Sequence, residues 1–382
     1  MLAIDFGARS IKAIKLSRSG SDFRLDNFGL VLTPPDSILH GEITDVDAVT
    51  QALEKMIHKK RIYDKNAIIV ITGQKVVVRE ITTPLMNEKE LKEGIQWEAP
   101  KYVPYDLKES LLDAKKIEEF EEKDGGKMMK VLLVAAPKSL VNQQIEILKK
   151  MKIQPRVVDI VSNAHMRAFD SYFTPSPANE EDGNQTDVIL SLGASTTEIT
   201  LIEGDRLKFT RTILKGGDDI TRMIEKKFNI PYNEAEILKR RIGLDLPETI
   251  ESEAEPEEGS EEEKSDHPKE KQDKEDELIP NQKEITGLIK TGVFDIFNEI
   301  RKSLNYYKTQ VQKVNYQRII LTGGMSSMFN IGQVLKQQFG ITVVMANPLK
   351  GMTVNEGNVN LENLDRYKRS LSTAIGLAKR ER

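Results

Sequence analysis

The sequence predicts an α/β protein built from two similar domains that face one another, with a small subdomain inserted into the first. Three observations carry that prediction. Met1 to Leu16 reads as a β-hairpin: an apolar run, Leu2-Ala3-Ile4, then the short turn Asp5-Phe6-Gly7-Ala8-Arg9-Ser10, then an alternating run from Ile11 to Leu16. The same design returns 186 positions later, between Val188 and Leu201, so that Gly7 matches Gly193, Ala8 matches Ala194, Ser10 matches Thr196 and Asp5 meets Ser191. Between the two hairpins, Val76 to Lys130 carries a helix and strands of its own. A chain of 382 residues is long enough for two or more domains with sizeable cores.

The first half spans residues 1–75 and 131–173, around the subdomain at 76–130. After the hairpin, strands continue to a turn at Thr33-Pro34-Pro35-Asp36. Asp45 or Asp47 caps a helix from Val46 to Lys60, whose Val49, Leu53, Met56 and Ile57 share one face. Ala67 to Thr72 is a buried strand, and Gly73-Gln74 turns into a further strand from Val76 to Ile81. In the subdomain, Thr83-Pro84 leads into a helix over Glu88 to Glu98 that stops before Pro100. Strands follow at Leu111 to Ile117 and Met128 to Ala135, separated by a charged turn over Glu118 to Lys127. The run from Gln96 to Pro104 concentrates rigid, amphipathic residues. Trp97 reads as a core anchor of the subdomain and, compatibly, with Tyr102 and Pro104 as part of a groove for a partner peptide. A helix over Asn142 to Met151, a strand over Arg156 to Ile160 and a helix from Ser162 complete the half. The Pro- and Gly-containing polar stretch 174–186 can extend neither helix nor strand and is the expected linker.

The second half, 187–369, begins with its own hairpin and runs through Lys208 to Arg211 to helices over Ile220 to Phe228 and Tyr232 to Arg240. Residues 247–280 hold little apolar surface, which predicts a disordered acidic insertion. A long helix over Ile285 to Gln312 and a strand over Arg318 to Thr322 deliver Gly323-Gly324 at a strand end, where a flat ligand face can approach the backbone. A final helix, 370–382, contains Ala374-Ile375-Gly376-Leu377-Ala378, small enough to pack closely at the domain junction.

Composition narrows the function. The chain has no cysteine and four histidines, which leaves no disulfide framework or thiolate metal site. No run approaches the ~20 apolar residues of a membrane span, and the chain starts in a strand without a basic-then-apolar leader, so a cytoplasmic protein is expected. The net charge is −4. Glu248 to Glu277 alone holds 15 acidic and four basic residues, so the remainder is +7, and no aromatic-plus-basic array suggests nucleic acid.

Small residues let backbone N–H groups approach an anion, and hydroxyls with a lysine add donors and charge. Two such turns across a cleft can hold the phosphates of one nucleotide from both sides. Asp5-x-Gly7 with Lys12 resembles the first phosphate loop of the actin, sugar-kinase and heat-shock-chaperone superfamily, and Gly193-Ala194-Ser195-Thr196-Thr197 resembles its second. Leu321-Thr322-Gly323-Gly324-Met325-Ser326 is similar to the adenosine motif, and Glu236-Ile237-Leu238-Lys239 to the helix beside ribose and adenine. The resemblance implies an actin-like (ribonuclease-H-like) fold with an FtsA-type subdomain. It also implies a site for ATP and Mg²⁺ made of Asp5, Gly7, Ala8, Arg9, Ser10, Lys12, Gly193 to Thr197, Gly217, Glu236, Lys239 and Gly323 to Met325, with Asp5 toward the metal. Two departures bear on hydrolysis. The second loop has Ser191 where the superfamily has Asp, and the hydrolytic acid's place falls on Val161, with Asp159 two residues early and on the same strand face if the alternation continues. Binding without brisk turnover is therefore expected.

Within the superfamily, Gly41-Glu42-Ile43-Thr44-Asp45, Ile95-Gln96-Trp97-Glu98-Ala99 with Tyr102-Val103-Pro104, Val157-Val158-Asp159 and Gly216-Gly217-Asp218-Asp219 resemble the PilM family of type IV pilus assembly. That likeness implies an ATP-binding scaffold at the inner face of the inner membrane. It would grip the amino-terminal cytoplasmic segment of a PilN-type membrane protein and couple it to pilus motor ATPases. Alternatives are an FtsA-like filament protein, against which the lack of an amphipathic membrane tail counts, an active actin-like ATPase, and a secretion-system homologue without nucleotide.

Overall fold

A computed structural model describes residues 1–20, 22–122, 125–173, 184–245, 281–311 and 313–380. In chain order the elements begin β1 (Leu2–Phe6), β2 (Ser10–Ser19), β3 (Asp22–Leu32), β4 (Ile38–Leu39), β5 (Glu42–Ile43), α1 (Val46–Lys60) and β6 (Asn66–Ile71). Next come β7 (Val77–Pro84), α2 (Glu88–Glu98), β8 (Ser110–Glu121), β9 (Lys127–Pro137), α3 (Lys138–Lys150), β10 (Gln154–Ile160) and α4 (Val161–Ala168). The chain continues through β11 (Asn184–Leu192), β12 (Thr197–Glu203), β13 (Arg206–Ile213), α5 (Gly217–Phe228), α6 (Tyr232–Ile242), α7 (Gln282–Gln310) and β14 (Val314–Thr322). It ends with α8 (Ile331–Phe339), β15 (Thr342–Met345), β16 (Thr353–Val354), α9 (Leu361–Tyr367) and α10 (Ser372–Ala378).

Two sheets share one topology. The first orders its strands β10-β6-β1-β2-β3-β16 and the second β15-β14-β11-β12-β13. In each, a hairpin (β1–β2 or β11–β12) sits at the centre, a further antiparallel strand flanks one side, and parallel strands flank the other. All five residues of β1 are buried, as expected of a strand covered on both faces. On one face of the first sheet, Val49, Leu53, Met56 and Ile57 of α1 pack with Leu2, Ile4 and Ile147. In the second, Ile220 and Ile224 of α5 and Ile289, Val293, Ile296 and Ile300 of α7 cover Val188, Leu190 and Ile199.

Local chemistry sets the helix ends. Asp45, rather than Asp47, caps α1 by accepting from Ala48 N at 2.9 Å. Asn87 and Glu90 close a capping box at α2. The strand before it reaches Pro84, so Thr83-Pro84 ends β7, with three residues between it and the start of α2 at Glu88.

The inserted sheet is β7-β9-β8. The boundary drawn at residue 130 falls inside β9, because this central strand pairs with β7 as far as Ala135 and with β8 as far as Pro137. Leu91, Ile95, Ala99 and Val103 cover its apolar face. Trp97 is not a core anchor: it is 83% exposed. It stands two residues after Ile95, about 200° round the helix and so on the outer face.

Of the expected linker 174–186, the last three residues begin β11, held extended by β14 on one side and, at Thr186, by β12 on the other. The rest of that linker, the acidic insertion 247–280, Asp124 of the charged turn and the last two residues lie outside the described residues.

After β15 the chain crosses back to the first sheet. β16 pairs with β3, and α10 packs against α4 and β1. Leu371, Ala374 and Ile375 join Ile14, Leu25 and Phe28, while Leu377 joins Ala3, Ile68 and Ala164. Each fully buried leucine or isoleucine there contributes roughly 1.5–3 kcal/mol. Gly376 makes the contact possible, because a Cβ on it would stand 1.7 Å from the Ala164 carbonyl oxygen. Helix propensity alone would make Gly376→Ala stabilising by ~1 kcal/mol. We expect instead a net loss of at least ~1 kcal/mol from overpacking, read from urea denaturation; a more stable variant would refute this packing.

Candidate functional site

The two hairpin turns close alike. Gly7 N donates to Ser10 O at 3.2 Å, and Gly193 N donates to Thr196 O at 2.9 Å. Behind each turn, two residues face each other across the hairpin: Asp5 opposite Lys12, and Ser191 opposite Glu198. In the first pair, both buried, Lys12 Nζ donates to Asp5 Oδ2 at 2.9 Å. The second pair has no lysine. Glu198 instead accepts from Thr72 Oγ1 at 2.6 Å, just after β6 in the first half, and from Thr212 Oγ1 at 2.7 Å on β13. Burial pushes the Glu198 carboxyl above the usual carboxylate range, with the two hydroxyls opposing the shift.

Both turns open on one cleft of about 380 Å³ between the halves. Asp5, Gly7, Ala8, Arg9, Ser10 and Lys12 line one wall. Gly193, Ala194, Ser195 and Thr196 line the other, with Gly217, Glu236, Lys239, Gly323, Gly324 and Met325. The start of α5 is docked on the second turn, Gly217 N donating to Gly193 O at 3.0 Å and Asp218 N to Ala194 O at 2.8 Å. Gly323 has φ +88°, and a Cβ there would lie 2.4 Å from Leu192 O, so only glycine lets β14 end this close to the second turn.

Glu236 and Lys239 are not an exposed surface pair. Their charged ends meet at 2.6 Å with side chains 7% and 6% exposed. Lys239 Nζ also donates to Gly217 O, Thr221 Oγ1 donates to Glu236 Oε2, and Arg240 Nε donates to Glu236 Oε1. Burial alone would raise the Glu236 carboxyl; the charge of Lys239, with the hydrogen bonds from Lys239, Thr221 and Arg240, outweighs it and holds the group at about 2. Burial lowers the Lys239 ammonium, with Glu236 working against the shift.

Two expected residues fall outside the cleft lining. Thr197 is fully buried and donates to Lys215 O at 2.9 Å. Asp159 is bound by Arg167 at 2.5 Å and Arg380 at 2.7 Å. Its burial would raise the carboxyl, but the two guanidinium groups hold it below the usual range. The strand alternation that would align it with position 161 stops at Ile160, since α4 starts at Val161. Val161 itself lines the cleft.

The sequence reading missed the stretch from the end of α9 to the start of α10. Arg366, Tyr367, Arg369, Ser370, Ser372 and Thr373 all reach the lining. Arg369 O accepts from Gly323 N and Thr322 Oγ1, contacts 46 and 47 residues apart in the chain that no local pattern announces. Glu198 was also missed, although it follows Ser191 by the same seven positions that separate Lys12 from Asp5. The lining holds six lysine or arginine side chains against four carboxylates. Arg9 Nε and Arg369 Nε are buried without a hydrogen-bond partner, which favours an anionic ligand. No group of three His, Cys, Asp or Glu side chains gathers into a metal cluster among the described residues. The donors, Asp5 first, suit a Mg²⁺ held jointly with phosphates and waters. On the inserted subdomain, Tyr102 and Pro104 are exposed along with Trp97.

Comparison with known proteins gives two family matches. The model described as type IV pilus assembly protein PilM matches residues 3–254, and that of cell division protein FtsA matches residues 188–376. A solved PilM-PilN type IV pilus biogenesis complex is similar with a TM-score of 0.78 at 22% identity, covering 99% of this chain and 97% of that one. Ethanolamine utilization protein EutJ from Carboxydothermus hydrogenoformans has a TM-score of 0.50 at 11% identity, covering 99% and 88%. Cell division protein FtsA of Enterococcus hirae is 21% identical over 397 residues, 99% of this chain and 85% of that protein. The fold is the actin-like two-domain fold that the sequence predicts.

The Glu236 network yields a pH prediction. The carboxyl lies at about 2 when folded against 4.5 as its ordinary value. Its contribution is therefore complete above pH 4.5 and lost as pH falls through 2. Glu236→Gln is expected to flatten the decline of unfolding free energy over that window; an unchanged slope would contradict the network.

Proposed function

The chain belongs to the type IV pilus assembly protein PilM family, and on that premise we propose that it is an ATP-binding scaffold of the pilus assembly machine. It grips the amino-terminal cytoplasmic segment of a PilN-type inner-membrane protein. The observation that supports this best is the pair of turns, closed by the same hydrogen bond and opening on one cationic cleft. A cleft of about 380 Å³ is within the ~300–1,000 Å³ range of small-molecule sites. In this reading the turns take the phosphates, and Lys12 shifts from Asp5 to the anion. Asp5 would help to hold a Mg²⁺ ion, which would supply positive charge against the phosphates. Gly323, Gly324 and Met325 receive the base, with Glu236 beside the ribose.

Turnover is slow on this account. Ser191 brings no charge, Val161 can accept no proton, and Asp159 is held elsewhere by two arginines. Bound nucleotide then serves mainly to stabilise a shape.

Trp97, Tyr102 and Pro104 form the partner surface. A tryptophan left 83% exposed on a capped helix is a rigid apolar anchor of the kind that dominates binding energy. No helix among the described residues is long and apolar enough to cross a membrane. The protein reaches the inner face of the inner membrane through its partner, and pilus motor ATPases are the further partners this reading implies. A filament-forming role like that of FtsA is the second reading, favoured by the match over residues 188–376.

One thermal-shift series tests both ligands. MgATP at a hundredfold excess over Kd adds ~2.7 kcal/mol and is expected to raise the melting temperature of wild type and Trp97→Ala alike. A PilN-type amino-terminal peptide is expected to raise it further in wild type but not in Trp97→Ala. No response to MgATP contradicts the nucleotide site, and an equal peptide response in both proteins removes Trp97 from the partner surface.

A further inference from the structure

Glu198 stands between two spaces. One face of the residue lines the nucleotide cleft. Another lines a small chamber of about 30 Å³ behind it, bounded also by Thr72, Ser162, Thr210 and Thr212. That volume is large enough for one water molecule. The walls offer hydroxyls to bind it, and the Ser162 hydroxyl, in a residue 3% exposed, is buried without a partner.

The charge of Glu198 is handled unlike that of its neighbours. Asp5 is paired with Lys12, and Glu236 with Lys239 and Arg240. Glu198 is held by two threonine hydroxyls, one on each carboxylate oxygen, which leaves lone pairs on both. Its place is fixed from both halves, Thr72 on one side and Thr212 on the other.

We propose that Glu198 is the general base of a slow nucleoside triphosphate hydrolysis in the cleft, drawing its water from the chamber behind it. The proposal rests on the nucleotide reading above. The water oxygen bonds to the terminal phosphorus while a water proton passes to the Glu198 carboxylate. The bond from that phosphorus to the bridging oxygen breaks, and its electron pair leaves with the nucleoside diphosphate. Inorganic phosphate is the second product, and Glu198 gives its proton back to solvent. Desolvation, which makes a carboxylate more basic, suits the role. Val161, which also lines the cleft, can take no part in the proton transfer.

The test is single-turnover phosphate release from MgATP with the full chain in excess, alongside the affinity for MgATP measured by calorimetry. General bases contribute ~10²–10⁴-fold. Glu198→Gln is therefore expected to slow release at least ~100-fold while affinity stays within about threefold. Ser162→Val, which fills the chamber with methyl groups and leaves Glu198 intact, is expected to slow release about tenfold and carries the test if Glu198→Gln fails to fold. Release from Glu198→Gln at the wild-type rate, no effect of Ser162→Val, or no release from wild type above the uncatalysed rate overturns the proposal with nucleotide binding left standing. Absence of MgATP binding to wild type would remove the nucleotide reading itself.

Discussion

A glycine amide bonded to the carbonyl three residues on closes each central hairpin, and the site depends on that closure being made twice. It holds the backbone of residues 7–10 and 193–196 in one shape at corresponding ends of the central strands of two sheets, whose order matches over five strands. Because the sheets match, the turns meet across a shared cleft rather than lying on separate surfaces. The side chains behind the turns then differ where chemistry needs them to. One hairpin presents Asp5 with Lys12, the other Ser191 with Glu198. A duplicated backbone thus offers a cation from one side and a carboxylate from the other.

The cleft is also braced by chain that returns. After β15 the polypeptide leaves the second sheet, adds a strand to the first and ends with α10 against α4. On the way Arg369 O ties the segment to Gly323, and residues 366–373 become part of the cleft lining. Arg167 Nε donates to Gly376 O while the same guanidinium binds Asp159, so that carboxylate serves the helix junction. Arg9 lies over the ring of Tyr232 and Arg222 reaches Asp36, both spanning the halves.

Much of this was legible in the sequence. The two hairpins and their register followed from repeated small residues, and α1 followed from apolar spacing with Asp45 or Asp47 at its start. What escaped had physical reasons. Trp97 was read both as a core anchor and as part of a partner groove, and helical phase removes the first, because it puts Ile95 inward and Trp97 outward. Asp159 was aligned by strand parity across a point where the strand had already become a helix. Residues 366–373 reach the cleft through long-range contacts to Gly323 and Thr322, which carry no local signature. Glu198 differs from these, because its seven-residue offset from Ser191 was present in the sequence and the neutral threonines beside it gave no sign of a charged site.

The account turns on one ligand being held by both turns at once. Hydrogen–deuterium exchange with and without MgATP reads this directly, because the amides of residues 7–10, 193–196 and 323–325 fall in separate peptides. The account predicts that MgATP slows exchange in all three together, at a single apparent affinity. Protection confined to one turn, or none in either, would contradict it.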